Sequence, residues 1–347
     1  MNAIEKRVQE LHQIRSVTSP PQDLEQYWRR NIAEATSEPY TADRTPETTS
    51  MKMRVDHVTY EGFAGTTIHG RLMLPEQASS SSPCPCLLTF PGYNGGPISP
   101  DHSAYWVSLG IGVFALDVRG QGGESGNTLG SSFGMTKGWI TEGILDLEHM
   151  YYKAIVFDAL RAADWLFLQP EIDSDKVGIT GASQGGGMAL IVSALEPRIS
   201  LTIADIPNLC HLDYGLFHST SSLTELQQFV RFYPQHLDTV LNHLNYFDMI
   251  HLAHRLHAPL LMSVGLKDTV CMPEQIFPAY HAAASAIKQL EIYPFTGHHV
   301  EDAQRQKAMK LPSNICFHDI KKDSIPYPFV TDKRMEPFLF ELIFDAS

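Results

Sequence analysis

Three residues in this chain have the types and settings that acyl-transfer chemistry uses: Ser183, Asp268 and His298. Ser183 sits in Gly181-Ala182-Ser183-Gln184-Gly185, directly after the apolar run Val177 to Thr180 and directly before the apolar stretch Met188 to Leu195. A short run entering a glycine-flanked serine, with a longer apolar segment leaving it, is the context of a nucleophile elbow. Such a strained strand-to-helix turn lifts the hydroxyl clear of the sheet, and its glycines are required because a Cβ would strike neighbouring backbone. The plainer alternative is an ordinary glycine-rich turn, since G-x-S-x-G alone also arises by chance.

Asp268 and His298 follow in the chain order Ser, Asp, His, each just past an apolar run: Leu260 to Val264 for the aspartate, Leu290 to Tyr293 for the histidine. In such a set a neutral imidazole takes the serine proton during attack and returns it to the leaving group, while the carboxylate fixes the tautomer and stabilises the imidazolium. Two plain readings compete: Asp268 as a helix N-cap before Pro273, and His298 as a surface loop residue, with the adjacent His299 a rival for its role. The developing oxyanion needs two preorganised N–H donors. The elbow supplies one from Gln184, and the loop Phe90-Pro91-Gly92-Tyr93-Asn94-Gly95-Gly96 has the glycines that would let the Tyr93 amide supply the other, the alternative being a plain turn.

The loop from Asp117 to Gly126 resembles a G-x-G-x-x-G fingerprint only superficially. No helix pattern opens there, and the stretch Ile140 to Leu147 stands where a strand ending in an acidic residue is expected, so no dinucleotide is expected. The loop reads as a brace for the site, with Arg119 and Gln121 in supporting roles. His298, His299 and Glu301 are metal-ligand types, but neighbours in one loop rarely present two ligands to one ion, and no metal or other cofactor is expected.

These residues need a scaffold, and the rest of the sequence describes one. Short apolar runs bounded by Gly or Pro (Cys86 to Phe90, Ile111 to Leu116, Val177 to Thr180, Leu201 to Ala204, Leu260 to Val264, Leu290 to Tyr293) read as buried parallel strands. Between them lie helical patterns, the clearest over Ala154 to Leu168, where Ile155, Ala159, Ala162 and Leu166 share a face. Alternating strands and helices define an α/β fold: a mostly parallel central sheet flanked by helices. Val58 to Tyr60 and Thr67 to Leu74 read as an antiparallel hairpin ahead of it. The organisation expected is a polar, partly helical arm over residues 1–50, with Tyr27 and Trp28 available to dock it. A catalytic domain over 51–300 follows, with an aromatic-rich helical cap inserted at about 207–256, and then an extension over 301–347.

With 347 residues and 43% hydrophobic content the chain can bury a full core, and a net charge of -13 argues against nucleic acid or an anionic membrane as partner. Five cysteines without metal-ligand spacing read as reduced thiols. The charged N-terminal segment lacks a signal-peptide core, and no apolar window is long enough to span a bilayer, so a soluble cytoplasmic protein is expected.

Several stretches together resemble the acetyl xylan esterase and cephalosporin C deacetylase family of carbohydrate esterases, of α/β-hydrolase fold. They are GYNGG at 92–96, ALDVRGQGGESG at 115–126, GILDLEHMYYKAIVFDALRA at 143–162, GITGASQGGGMAL at 178–190, DIPNLCH at 205–211 and SVGLKDTVCMPEQIFPAYHAA at 263–283. The RGQ, GxSQGG and DxxCxP signatures are the specific ones. The resemblance implies Ser183, Asp268 and His298 as triad and the Tyr93 and Gln184 amides as oxyanion hole. It also implies deacetylation of small substrates such as acetylated xylo-oligosaccharides and cephalosporin C, no cofactor, and a homo-oligomer, commonly a doughnut-like hexamer. Two departures stand out: the family's His-Glu pair is here His298-His299, with Glu301 further on, and the tail from Glu301 to Ser347 runs past the point where family members usually end. An acyl-peptide hydrolase of the prolyl oligopeptidase type shares the serine motif and order, but 50 N-terminal residues are too few for its propeller. A catalytically silent scaffold remains the reading from a different class.

Overall fold

The computed structural model describes residues 1–37, 40–130 and 138–315. Among these residues nine strands form one sheet, β1 (Ala42–Glu47), β2 (Arg54–Glu61), β3 (Thr67–Leu74), β4 (Cys84–Phe90), β5 (Gly112–Leu116), β6 (Ile172–Ala182), β7 (Leu201–Asp205), β8 (Leu260–Gly265) and β9 (Lys288–Tyr293), in the order β1-β2-β3-β5-β4-β6-β7-β8-β9. From β5 to β9 every neighbouring pair is parallel, while β1, β2 and β3 attach as an antiparallel flank. All residues of β5, β7 and β8 are buried, which is why these strands read as continuous apolar runs rather than alternating ones.

The helices are α1 (Ala3–Gln13), α2 (Leu24–Ser37), α3 (Pro100–Ser108), α4 (Tyr151–Phe167), α5 (Gln184–Leu195), α6 (Leu212–His218), α7 (Leu223–Phe232), α8 (Leu237–Leu244), α9 (Met249–Leu252), α10 (Pro273–Ala282) and α11 (Asp302–Ile315). Every residue of α5 is buried, so the helix that leaves Ser183 is fixed by the core rather than by one amphipathic face. Helices α6 to α9 occupy the chain between β7 and β8.

The N-terminal arm differs from its sequence reading. Its helices α1 and α2 form, and Trp28 is buried with its indole donating to the Tyr246 carbonyl at 2.8 Å, while Tyr27 meets the Tyr246 ring edge-on at 4.8 Å. But the sheet begins inside the arm: the polar segment Ala42–Glu47, containing Pro46, pairs antiparallel with β2. An edge strand tolerates proline and charge because one of its hydrogen-bonding sides has no neighbour, so it carries no apolar signature to read. Of the extension over 301–347, α11 is described; residues 316–347, including Cys316, lie outside the described residues. Among the described residues no helix is long and apolar enough to cross a membrane.

Candidate active site

Ser183 lies between the end of β6 and the start of α5 at φ 57°, ψ -120°, a backbone state a non-glycine residue holds only when its surroundings enforce it. Here they do. The Ser183 amide donates to Asp205 O at 2.9 Å, and its carbonyl accepts from Gly187 N at 3.0 Å and Asn208 N at 2.9 Å. The glycines of the motif are steric necessities: a Cβ at Gly181 would lie 2.3 Å from the Gly185 backbone, and one at Gly185 would lie 2.2 Å from Phe90 O.

His298 Nε2 stands 2.9 Å from Ser183 Oγ, and His298 Nδ1 stands 2.8 Å from Asp268 Oδ2. Asp268 is buried, and its other oxygen accepts the Val270 and Cys271 amides at 2.8 and 3.0 Å. An ionised carboxylate only accepts, so the imidazole proton resides on Nδ1 and the Nε2 lone pair faces the serine hydroxyl. The two loops that carry these residues are tied together, Leu266 N to Tyr293 O and Lys267 N to Thr296 O, both at 3.0 Å. Asp268 is not a helix N-cap; Met272 holds that position for α10. His299 turns away into solvent with Nε2 3.3 Å from Glu301 Oε1, and Glu301 also accepts the Thr296 hydroxyl. Glu301 thus ties back the loop that bears His298, a contact the sequence offered only as an unexplained departure.

The Tyr93 and Gln184 amides have no protein acceptor among the described residues. One side chain clamps both loops. Gln121 and Gln184 form a reciprocal amide pair, each donating Nε2 to the other's Oε1 at 3.0 Å, and Gln121 Oε1 also accepts Asn94 N at 2.8 Å. Gln121 Nε2 further donates to Tyr151 Oη at 2.9 Å, whose own proton goes to the Arg119 carbonyl at 2.5 Å. Arg119 itself is fully buried and bound to Asp158 at 2.6 and 2.7 Å, Thr66 at 3.1 Å and Phe63 O at 3.0 Å, so its guanidinium braces the core away from the serine.

Sequence reasoning did not place three further groups. Cys271 Sγ lies 4.0 Å from Ser183 Oγ; burial, reinforced by the Asp268 charge, pushes its thiol well up, so it stays neutral. Its only signal was the DxxCxP pattern. Asp205, at the end of β7, is a buried carboxyl held by Ser263 at 2.8 Å and Gln304 at 2.6 Å. Glu225 on α7 accepts the Tyr93 hydroxyl at 2.7 Å, a contact between residues far apart in the chain. The candidate metal ligands do not converge, because His298 engages Ser183 and Asp268 while His299 turns to Glu301. Elsewhere, His57, His69 and Glu124 offer ligand atoms within 4.8 Å of one another. The two rings meet nitrogen to nitrogen at 3.0 Å, the geometry of an N–H···N hydrogen bond in which one nitrogen donates its proton and the lone pair of the other accepts it.

A doubly covered parallel sheet, a strained serine after a central strand, and an acid and a histidine after two later ones together define the α/β-hydrolase class. Within it the chain belongs to the acetyl xylan esterase family, whose profile matches residues 1–314. It is similar to the solved acetyl xylan esterase from Paenibacillus sp. R4, at 30% identity and a TM-score of 0.84 over 88% of this chain and 98% of that one. It is equally similar to acetyl xylan esterase 1 from Thermoanaerobacterium sp. JW/SL YS485, at 30% identity and a TM-score of 0.83 over 88% and 97%. A curated relative, the acetyl esterase Axe7A of Xylanibacter ruminicola, is 25% identical over 301 residues; the match covers 82% of this chain and 65% of that protein's length.

Proposed function

We propose that the chain is a serine carboxylesterase that removes acetyl groups from small acetylated substrates, acetylated xylo-oligosaccharides and cephalosporin C-like esters among them, through an acyl-enzyme. The observation that carries this reading is the continuous path from Ser183 Oγ through His298 to a buried Asp268, with contacts of 2.9 and 2.8 Å, in a site where the Tyr93 and Gln184 amides have no protein acceptor among the described residues. Ser183 Oγ attacks the acetyl carbonyl as its proton passes to His298 Nε2, and Asp268 balances the imidazolium so formed. The carbonyl oxygen, now anionic, is received by the Tyr93 and Gln184 N–H groups. Collapse expels the sugar alcohol, which takes the proton from His298; water then repeats the sequence on the acetyl-serine and releases acetate.

The same reading assigns residues 207–256 as a cap and 51–300 as the catalytic domain between the arm and the extension, and carries over a homo-oligomer, a hexamer by resemblance. It also places the chain in the reducing cytoplasm, which suits the buried, unpaired thiols of Cys84, Cys86, Cys210 and Cys271.

The test is hydrolysis of p-nitrophenyl acetate, butyrate and octanoate by the wild type and by Ser183→Ala, His298→Ala and His299→Ala. Acetate is expected to be the preferred ester. Ser183→Ala and His298→Ala should each lower kcat by about 10⁶-fold, as loss of nucleophile or base does in comparable hydrolases, and His299→Ala should stay active. A wild type that neither turns over any ester nor is labelled at Ser183 by a fluorophosphonate overturns the proposal.

A further inference from the structure

The two amides proposed for the oxyanion are held in different ways. Gln184 opens α5, a helix buried along its whole length, so its position is set by the core. Tyr93 lies in a glycine-rich loop, Gly92 to Gly96, closed by one turn bond from Gly95 N to Gly92 O at 2.9 Å, with Asn94 in the left-handed region at φ 55°. Its three glycines leave the backbone free to move, so the few bonds that anchor it matter accordingly. On the core side the anchors are Gln121 Oε1 to Asn94 N at 2.8 Å and Gly96 N to Gln121 O at 3.1 Å.

On the other side the Tyr93 ring is the handle. Its hydroxyl donates to Glu225 Oε2 at 2.7 Å and accepts Trp139 N at 2.9 Å, while the Trp139 indole donates to Asn94 Oδ1 at 3.0 Å. Glu225 projects from α7, among the helices between β7 and β8, so this carboxylate ties that excursion to the loop carrying an oxyanion donor. The chain makes room for it. Gly138 sits at φ 79°, and a Cβ there would lie 1.8 Å from Glu225 Oε2. The phenol is committed to the contact as well, since burial and then the Glu225 hydrogen bond push its ionisation well up, leaving it a donor at any ordinary pH.

We propose that Glu225 is a positioning residue for the oxyanion hole: by holding the Tyr93 hydroxyl from α7, it sets where the Tyr93 amide points, and it couples the seating of the cap to transition-state stabilisation. This rests on the esterase reading above. An amide moved by a fraction of an ångström still lets substrate bind, so the loss appears in kcat rather than in KM, because the oxyanion forms only in the transition state.

The experiment compares wild type, Glu225→Ala, Tyr93→Phe, their double variant and Glu225→Gln, measuring kcat and KM for p-nitrophenyl acetate alongside thermal melting. Glu225→Ala and Tyr93→Phe should each lower kcat by about 10- to 100-fold, less than outright loss of an oxyanion donor, with KM moving less than about threefold. The double variant should be no slower than the slower single one, because both break the same contact. Glu225→Gln should recover most of the rate, its amide oxygen accepting the phenol proton where alanine offers nothing. An active wild type whose Glu225→Ala variant keeps full kcat, or whose two losses multiply, overturns this inference alone. Losses that appear in KM or follow the fraction unfolded overturn it too. A wild type without turnover overturns the esterase reading, and this one with it.

Discussion

Asp268 and Asp158 are both buried carboxylates, 3% and 2% exposed, and both are fully hydrogen-bonded, yet their partners differ in kind. Asp158 receives the Arg119 guanidinium on both oxygens, at 2.6 and 2.7 Å, together with the Phe63 amide at 2.8 Å. Its charge is cancelled by a cation that does not titrate, and the pair locks the loop after β5 onto α4. Asp268 is solvated instead by two backbone amides, which supply dipoles without a neutralising charge, and its second oxygen is left to His298, a partner whose charge can change. A carboxylate paired with a permanent cation can only brace. One held by dipoles can stabilise a positive charge that comes and goes during a reaction.

The largest test of that contrast is Asp268→Asn. The amide keeps the shape but cannot hold the imidazole in its tautomer or balance its charge, and kcat is expected to fall by about 10⁴-fold with melting little changed. Arg119→Met should do the reverse, costing about 3–5 kcal/mol of unfolding free energy in urea titrations because Asp158 is left buried and unpaired, while kcat per folded molecule falls far less. Adding Asp158→Leu to Arg119→Met should restore part of that stability; if it does not, the pair is not the brace described. Gln121→Leu lies between the two regions. It strands the Gln184 amide and the Asn94 N–H and removes the donor to the Tyr151 hydroxyl, which keeps its own bond to the Arg119 carbonyl, so about 1–3 kcal/mol of stability and about a tenfold loss in kcat are expected together.

The smallest effect concerns a titrating pair remote from the serine. His281 on α10 meets His12 on α1 nitrogen to nitrogen at 3.1 Å, and burial, then His12, Arg15 and Lys288, push it down from 6.5 to about 4. The folded state therefore favours the neutral ring. Between pH 6.5 and 4 the unfolded chain binds more protons, so stability is present above this window and is lost as pH falls through it. Melting temperatures at pH 7 and 5 should show this decline, and His281→Asn should flatten it.

Much of this is legible in the sequence. The elbow is local: its glycines are imposed by backbone contacts within a few residues and across to β4, so motif and geometry coincide. Strands β5, β7 and β8 are legible because burial on both faces demands unbroken apolar runs, and β6 is legible only in its buried stretch from Val177 to Ile179. Strand β1 is not, since its place rests on pairing with β2 rather than on its own composition. The sequence does not say where the Arg119 side chain points: its guanidinium turns inward to Asp158 on α4, while its carbonyl accepts the Tyr151 hydroxyl in the Gln121 network.

By itself the sequence determined which residue types stand at the carboxyl ends of which strands, because strand, turn and helix periodicities are short-range and each catalytic type sits within a few residues of such a signal. Tertiary structure alone decided which of two adjacent histidines faces the serine. His298 turns to Asp268 and Ser183 while His299 turns to Glu301, and neighbouring loop residues point apart according to what packs around them. It alone also decided that Glu225, far from Tyr93 in the chain, meets it at 2.7 Å, since contacts between distant elements follow from how helices settle on a sheet and leave no spacing in the sequence to read.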